Sequence, residues 1–464
     1  MRRTLLVLLL LVFSSSLVGC GDDGEGAGNS AVASRDWLPD GTWIRDRQGH
    51  VLLLRGSNYS GLEWGYFSNQ PHGPEEADFA QMASWGVAVV RLPIAWTYLE
   101  PEPNRLDLDY LRTEVDRVIG FAQRHGMVVI LDMHQFNWSS CFNGGLGVPP
   151  WTCKGKYPAG LVGQFHAETD FWRGITAPDG RPLIEHFVDV WRAVATYYRD
   201  SPTVVAFDFF NEPLDPGDLR IKPPDQVAME FEHNTLFPFY RRLALLVRSV
   251  GARQTLVLEP AVTRNLGYRA HPEPIGDSNV IYSPHIYLGA DSGGYHGAQS
   301  GVSEQYAQAV TEAAEMQAPL WVGEWGGNDP KFYGYSLFAE DQFLIGGAVW
   351  GYFPSGNELV DAAGNENPAL VNLVARPYPI QTAGIPQSLH WDVEASVLDY
   401  TWTEDPARTI PNPTILFIPA ARHFANGVQV TATAGDDVEI QGDRLIINAS
   451  RSNTQHSVHV AARP

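Results

Sequence analysis

Short apolar segments that end abruptly at a polar side chain recur through the first 350 residues. They are rich in β-branched and aromatic residues, as buried strands are, and stretches with helical apolar spacing separate most of them. The eight predicted strands cover residues 52–58, 87–92, 127–133, 204–210, 255–258, 279–283, 319–323 and 345–349. Strands that alternate with helices favour a parallel sheet, and eight such units predict an α/β fold, a (β/α)8 TIM barrel.

Two of these segments end at a glutamate. The segment 204–210 runs into Asn211-Glu212-Pro213, where the proline has no N–H with which to continue the strand. The segment 319–323 runs into Glu324. The carboxyl ends of barrel strands meet on one face, so both carboxylates are predicted to share a cleft. Sugar hydrolases need such a pair, one to protonate the leaving oxygen and one to attack the anomeric carbon.

Further polar or aromatic residues follow the other predicted strands. An arginine could hold one glutamate ionised, a histidine and a tyrosine could donate to a carboxylate, an asparagine could bind a sugar hydroxyl, and a tryptophan offers a flat face to a pyranose. A lone buried arginine or histidine is more often a paired core residue, but so many at successive strand ends favour a site. The candidate substrate-binding residues are Arg91, His134, Asn211, His285, Tyr287 and Trp350.

The charge balance excludes some partners. The formal net charge is −21, which argues against nucleic acid and against attraction to anionic membranes. Two-carboxylate hydrolysis needs no metal or nucleotide, and no phosphate-cradling loop is visible in the sequence. We therefore predict an enzyme without a cofactor, acting as a monomer on a carbohydrate or glycolipid.

The N-terminal segment reads as a targeting sequence. Residues 1–20 combine a basic start, a short apolar stretch and Leu-Val-Gly-Cys, which resembles a lipobox ending at Cys20. An ordinary secretory signal that contains a cysteine is the alternative. Residues 21–36 are polar and glycine-rich, as a flexible tether would be. We expect a secreted or cell-surface protein, anchored as a bacterial lipoprotein, that contacts the membrane through this anchor.

After Gly364 the helical spacing is lost, and prolines separate short alternating segments. Residues 428–433, 437–441 and 445–448 are predicted strands with glycine-containing turns between them. We predict a catalytic barrel over 37–365 and a C-terminal β-sandwich over 380–464.

The site residues stand in motifs that resemble glycoside hydrolase family 5. The matching motifs are Val-Arg-Leu-Pro at Arg91, Asp-Met-His at His134, Asn-Glu at 211–212, His-Ile-Tyr at 285–287, Gly-Glu-Trp-Gly at Glu324, and Trp350. The resemblance covers about residues 40–355. It implies a retaining hydrolase in which Glu212 is the acid/base and Glu324 is the nucleophile.

Within this family the chain is most similar to the endoglycoceramidases. The likeness lies in Leu-Asp-Met-His-Gln at 131–135, in 207–213, and in Arg-Pro-Tyr-Pro with Ala-Gly at 376–384. It implies cleavage of the β-glycosidic bond between glycan and ceramide. The group commonly has an acidic residue where Phe136 and Asn137 stand here. The alternative is an endoglucanase, a mannanase or another β-glycosidase of the family.

Two loops near the candidate site are unusually apolar. One holds Cys141 and Cys153, which are predicted to form a disulfide in an exported protein, with two free thiols as the alternative. We predict that its aromatic residues and the segment 214–224 form a lipid-facing rim. The alternative is that they pack on each other around the disulfide. The residues of the first loop are Trp138, Phe142, Pro149, Pro150 and Trp151.

Overall fold

The computed structural model describes residues 37–219, 221–290, 294–356 and 358–463. The chain begins with three short strands, β1 (Leu38–Asp40), β2 (Trp43–Arg45) and β3 (Val51–Leu52). Eight parallel strands then form the central sheet: β4 (Arg55–Tyr59), β5 (Val89–Ile94), β6 (Val128–Met133), β7 (Val204–Asp208), β8 (Thr255–Leu258), β9 (Val280–Tyr282), β10 (Trp321–Gly326) and β11 (Gly346–Tyr352).

The central sheet closes on itself. Its strand order is β10-β11-β4-β5-β6-β7-β8-β9, and a parallel bridge between Tyr282 and Leu320 joins the last strand to the first. Every residue of β5, β6 and β7 is buried, because the sheet is covered inside and outside. The predicted (β/α)8 barrel is confirmed.

Helices surround the barrel: α1 (Glu76–Ser84), α2 (Trp96–Leu99), α3 (Asp116–Arg124), α4 (Leu161–Trp172), α5 (Leu183–Tyr198), α6 (Pro224–Phe231), α7 (Phe237–Ser249), α8 (Gln299–Met316), α9 (Pro330–Phe343) and α10 (Pro368–Val374). Helix α4 lies inside a stretch that the sequence indicated to be loop. Within the described ranges, no helix is both long and apolar enough to cross a bilayer.

The rest of the chain forms β12 (Tyr378–Thr382), β13 (Ile385–Asp392), β14 (Val397–Thr403), β15 (Thr414–Phe417), a short helix α11 (Ala420–His423), β16 (Val428–Ala432), β17 (Asp437–Gln441), β18 (Arg444–Asn448) and β19 (Gln455–Ala462). Two antiparallel sheets share one apolar core, to which β14 contributes Leu398 and Trp402 and β18 contributes Leu445 and Ile447. This agrees with the predicted C-terminal β-sandwich.

One C-terminal sheet is built from both ends of the chain. Its order is β1-β2-β3-β12-β15-β18-β17, so the three N-terminal strands belong to it. The predicted first strand, 52–58, therefore splits: Leu52 pairs with Gln381 of the sandwich, and Arg55–Tyr59 enters the barrel. Residues 38–52 were assigned to the barrel unit from sequence because a two-residue strand carries no alternating pattern.

The N-terminal strands also close one end of the barrel. Trp37 and Ile44 pack with Val89, Val128 and Val205, which begin their barrel strands or lie next to the first residue. The backbone oxygen of Trp37 accepts a hydrogen bond from the Thr255 hydroxyl, 3.3 Å away. The amino ends of the strands are thus covered, and the carboxyl ends remain open to solvent.

Candidate active site

A cavity of about 690 Å³ opens at the carboxyl ends of the barrel strands. It receives Asn211 and Glu212 after β7, Glu324 from β10 and Trp350 from β11. His134 and Tyr287 also line it, and Arg91 and His285 lie buried against its carboxylates. All eight residues singled out in the sequence therefore meet at one place.

Arg91 is the centre of the buried part of the site. Its side chain is fully buried, and all five of its N–H groups are donated. The acceptors are Asp208 (2.9 Å), Asn58 (3.0 Å), Glu324 (2.6 Å), Asn211 (2.9 Å) and Glu259 (2.8 Å), and Asp132 lies 3.0 Å from the guanidinium. We call Arg91, Asp132, Asp208, Glu259, His285 and Glu324 the charged floor.

The charges of this floor are strongly coupled. Burial alone would lower the pKa of Arg91, but the surrounding carboxylates raise it well above its ordinary value. Burial raises the pKa of Asp208 well above its usual range, and the charge of Glu259 adds to this. Burial would also lower the pKa of His285, yet Glu259 and Glu324 raise it well above normal. The carboxylates around His285 thus favour its protonated form.

Glu324 is held by two donors. Arg91 donates to Oε1 at 2.6 Å, and the Tyr287 hydroxyl donates to Oε2 at 2.8 Å. Such hydrogen bonds favour the ionised carboxylate and leave it little freedom to rotate. The arrangement suits a carboxylate that must attack from a fixed position.

Glu212 is held differently. Its backbone has φ 48°, in the left-handed region that is uncommon for a residue with a side chain, and its N–H donates to Glu259 at 2.8 Å. Asn265 donates to Oε1 at 2.5 Å, and Nδ1 of His285 lies 3.1 Å from the same oxygen. A strained backbone held by buried partners is characteristic of functional positions.

The two glutamates face each other across the cavity. One oxygen of Glu212, one of Glu324 and a nitrogen of His285 all lie within 4.8 Å of one another. Burial raises the pKa of Glu324, against the opposing charges of His285 and Arg91. Burial would raise that of Glu212 too, but His285 and Asn265 bring its pKa below the ordinary value. These opposite directions favour a proton on His285 over one on Glu212.

Two aromatic rings form one side of the sugar-sized space. His134 stacks on Trp350 with ring centres 5.3 Å apart and planes 10° from parallel. Nδ1 of His134 lies 2.7 Å from Asp132, which raises the pKa of this histidine although burial opposes the change. The pair gives the cavity a flat face beside the charged floor.

Most of the remaining cavity lining is apolar. We call this surface the apolar wall; its members come from loops after several strands and are Trp64, Phe136, Leu146, Leu214, Leu219, Pro224, Val262, Leu266, Tyr268 and Phe353. Leu266 is 65% exposed and Phe136 48% exposed, which is unusual for apolar side chains that face a polar site.

The predicted lipid-facing rim is half wrong. Trp138 and Phe142 are buried, and Trp151 donates to the Glu100 backbone oxygen at 2.9 Å and packs on Trp96. The predicted Cys141–Cys153 disulfide is present, with Cα atoms 6.2 Å apart, and these side chains pack into the barrel core beside it. The other half of the prediction stands structurally, since Leu214, Leu219 and Pro224 line the cavity.

Sequence reasoning missed Glu259, although it ends β8 as the other polar residues end their strands. It also missed Asn265, which stands six residues further on, on a short 3-10 turn (Val262–Leu266) within the loop after β8 that carries no recognisable sequence motif. Buried carboxylates hold this loop: Glu232 accepts from the N–H groups of Ala261 (2.9 Å) and His271 (2.7 Å). Asn265 thus reaches Glu212 from a fixed loop.

A second carboxylate cluster, Asp132, Asp208 and Glu259, has oxygens within 4.8 Å of one another. The guanidinium of Arg91 lies within 3.0 Å of an oxygen of each. The arginine therefore supplies the positive charge that a metal ion would bring, and the cluster has the donors of an ion-pair network.

The family model of the cellulases, described as glycosyl hydrolase family 5, matches residues 46–335. The chain belongs to glycosyl hydrolase family 5. A second model, the glycoside hydrolase family 5 C-terminal domain, matches residues 376–460, which include the sandwich strands from β12 to β18 and most of β19. The family assignment made from the motifs is confirmed, and with it the expectation of a glycosidase.

Named relatives of this family-5 chain include glucosylceramidases. The chain is 29% identical to one from Rhizopus delemar over 245 residues, 37% of this chain and 35% of the relative. It is 32% identical to one from Cryptococcus neoformans over 360 residues, 62% of this chain and 47% of the relative. The matched part thus spans less than half the length of these relatives.

A solved structure matches nearly the whole family-5 chain. Endo-glycoceramidase II from Rhodococcus sp., in complex with ganglioside GM3, is 25% identical and has a TM-score of 0.77. The match covers 92% of this chain and 100% of that one. The likeness therefore extends through the barrel and the C-terminal sandwich together.

Proposed function

We propose that this enzyme hydrolyses the β-glycosidic bond between the glycan and the ceramide of glycosphingolipids, with retention of anomeric configuration. The observation that carries the proposal is one cavity that is lined by two close carboxylates, a flat aromatic face and an apolar wall. Retaining glycosidases place the two carboxyl groups about 5–5.5 Å apart, against about 6.5–9.5 Å in inverting enzymes. Carboxylate oxygens within 4.8 Å support the retaining class.

In the first step Glu324 attacks the anomeric carbon and forms a glycosyl ester. Arg91 and Tyr287 keep its carboxylate oriented, and the charge of Arg91 compensates that of the ionised carboxylate. Glu212 gives a proton to the glycosidic oxygen as its bond to the sugar breaks, and ceramide leaves as a neutral alcohol. Asn211 lies beside Glu212, where the second N–H of its amide is available to a sugar hydroxyl.

His285 supplies that proton in our proposal. Its Nδ1 lies 3.1 Å from Oε1 of Glu212. A proton can therefore pass directly from the protonated histidine to the carboxylate, which leaves a neutral histidine and a carboxylic acid. Nε2 lies 3.3 Å from Glu259, which stabilises the N–H that remains there. In the second step Glu212 takes a proton from water, the hydroxide attacks the glycosyl ester, and Glu324 is released.

We favour a glycolipid over a polysaccharide as the substrate because of the surface that would bind the aglycone. An apolar wall binds hydrocarbon favourably, whereas a polysaccharide would present hydroxyl groups that such a surface cannot satisfy. The names of the relatives agree with this: two are glucosylceramidases, and the solved structure is an endo-glycoceramidase with a ganglioside. Phe136 stands in the wall at the position where the sequence departs from that group.

We further propose that the enzyme is exported and anchored through Cys20 at the cell surface. The support is the sequence of residues 1–20, which lie outside the described residues, and the Cys141–Cys153 disulfide, which is typical of exported proteins. We also retain the monomer as a prediction.

The test is hydrolysis of purified glycosphingolipids by the full chain, with mass analysis of both products. We expect intact oligosaccharide and ceramide, and proton NMR of the first product should show the β-anomer before mutarotation. Glu324→Gln should lower kcat by roughly 10⁴-fold or more, as loss of a nucleophile does in other hydrolases. Glu439→Gln, an exposed carboxylate on β17 of the sandwich, is the control and should keep the activity of the parent.

Three results would count against the proposal. Glycan released with the α-anomer first would exclude retention. Full activity of Glu324→Gln would exclude the assigned nucleophile. Hydrolysis of cellulose or mannan without release of ceramide would keep the family and the glutamates but would exclude the glycolipid.

A further inference from the structure

We propose that the face around the cavity mouth is a docking surface for a lipid bilayer, so that the enzyme takes its substrate from the bilayer directly. This proposal rests on the proposed function and concerns an area outside the cavity. It starts from four strongly exposed apolar side chains, which we call the mouth patch: Leu161 (61% exposed), Val162 (47%), Ile221 (79%) and Leu266 (65%).

The mouth patch is continuous with the catalytic cavity. A second groove of about 600 Å³ contains Leu161, Val162 and Phe165 and shares Leu219 with the cavity. Ile221 lies between Leu219 and Pro224, which both line the cavity, and Leu266 belongs to the apolar wall itself. An alkyl chain leaving the wall would therefore meet further apolar surface rather than a polar edge.

The patch also has a rigid support. Leu161 and Val162 form the first turn of α4, and the other end of that helix is buried. There Trp172 donates to the Leu214 backbone oxygen at 2.8 Å, and Phe171 and Trp172 pack on Phe210, one residue before Asn211. Two exposed aliphatic side chains are thus held in a fixed relation to the catalytic strand. Exposed apolar groups on such a scaffold mark interaction surfaces.

The local charge fits a lipid headgroup region. The chain carries 53 acidic residues but only four lysines, Lys154, Lys156, Lys222 and Lys331. Two of these, Lys154 and Lys156, are exposed just before α4. Lys222 follows Ile221 and is paired with Glu230. Lysine extends its ammonium toward headgroup phosphates while its stem stays near apolar surface. In a chain of net charge −21, Lys154 and Lys156 bring positive charge to the edge of the patch.

Docking of this kind is weak and depends on buried apolar area. A few aliphatic side chains would insert among the lipid headgroups and place the mouth of the cavity against the leaflet that faces the enzyme. Glycan and ceramide would then enter together, with the alkyl chains passing along the mouth patch to the apolar wall. Substrate presented as a monomer in water would not need the patch.

The experiment uses residues 21–464, which keep every described residue and lack the predicted targeting segment and its anchor Cys20 in every sample. The test variant combines Leu161→Ser with Ile221→Ser. The matched control combines Leu245→Ser, on α7, with Ile440→Ser, on β17, because these residues are 71% and 45% exposed and lie away from the mouth. Binding is measured by flotation with phosphatidylcholine vesicles. Activity is measured on glucosylceramide in the same vesicles and on 4-nitrophenyl β-glucoside in solution.

We expect the test variant to lose roughly tenfold in vesicle binding and in turnover of vesicle glucosylceramide. Its activity on the soluble glucoside should stay within about twofold of the parent, and the control should match the parent in all three assays. Unchanged vesicle binding, equal loss in the control, or equal loss on the soluble substrate would overturn the docking proposal. Patch-dependent binding without cleavage of glucosylceramide would instead count against the proposed function.

Discussion

The charged floor and the apolar wall bound the same cavity and differ in almost every physical respect. The floor is buried, lies on or directly after barrel strands, and satisfies the five N–H groups of Arg91. The wall is in part exposed and comes mainly from the segments that follow the strands. The difference separates two tasks: positioned charge makes the chemistry possible, and an adaptable surface selects the aglycone.

The largest effect is expected from replacing Arg91, the centre of the charged floor. Arg91→Met should lower the free energy of unfolding by about 3–5 kcal/mol and abolish activity, because four carboxylates would lose their buried counter-charge. Urea denaturation measures the first effect. Arg112→Met is the control: its partner Asp109 and the arginine itself are exposed, so we expect a change within about 0.5 kcal/mol. A stable Arg91→Met variant would mean that the floor is not an ion-pair network.

A single change in the wall should act only on substrate selection. Phe136→Ala should raise KM for a short-chain, water-soluble glycosphingolipid roughly tenfold, the cost of losing a half-buried aromatic contact. The kcat/KM for an aryl glucoside should stay within about twofold. Phe338→Ala is matched in exposure (42% against 48%) but lies on α9, and it should leave both substrates unaffected. A drop in kcat on both substrates would assign Phe136 to the chemistry instead.

Asn265 lines the cavity beside both the charged floor and the apolar wall. Its replacement tests whether it acts on the chemistry or only on packing. Its hydrogen bond helps to keep the pKa of Glu212 low, and Asn265→Ala should therefore raise that pKa. The limb of the kcat/KM profile that reports Glu212 should move to higher pH, with a loss of roughly tenfold at the optimum. Asn265→Asp should move it further in the same direction by repulsion. An unmoved profile in both variants would reduce Asn265 to a packing residue.

The smallest effect concerns the pH dependence of the free energy of unfolding, through Glu168 on α4. Burial raises the pKa of Glu168, on α4, to about 7 from 4.5. Between these values the folded chain keeps a proton that the unfolded chain has released, so this group makes the protein less stable as pH rises from about 4.5 to 7. Glu168→Gln should flatten the dependence of unfolding free energy on pH in that window, by about 1 kcal/mol per pH unit at most. The exposed Glu439→Gln should leave it unchanged.

The floor was far more predictable from sequence than the wall. Residues that end apolar strands can be located from the pattern alone, and parallel packing then brings Arg91, Glu212 and Glu324 together. Glu259 followed the same rule, and only its role was missed. The wall follows no such rule, because loop residues such as Leu266 have no period, and Trp138 looked equally suited to a surface until the disulfide loop folded it inward.

The N-terminal strands cover one end of the barrel, and the catalytic cavity opens at the other end. Trp37, at the start of the described chain, packs under the first residues of the strands, whereas the cavity opens at their other end. A protein tethered through Cys20 would therefore present its mouth away from the membrane that holds it. Sixteen linking residues reach at most about 55 Å even when extended. Under the proposed anchoring at Cys20, this arrangement would direct the enzyme toward lipid brought to the cell from outside rather than toward the lipids of its own membrane.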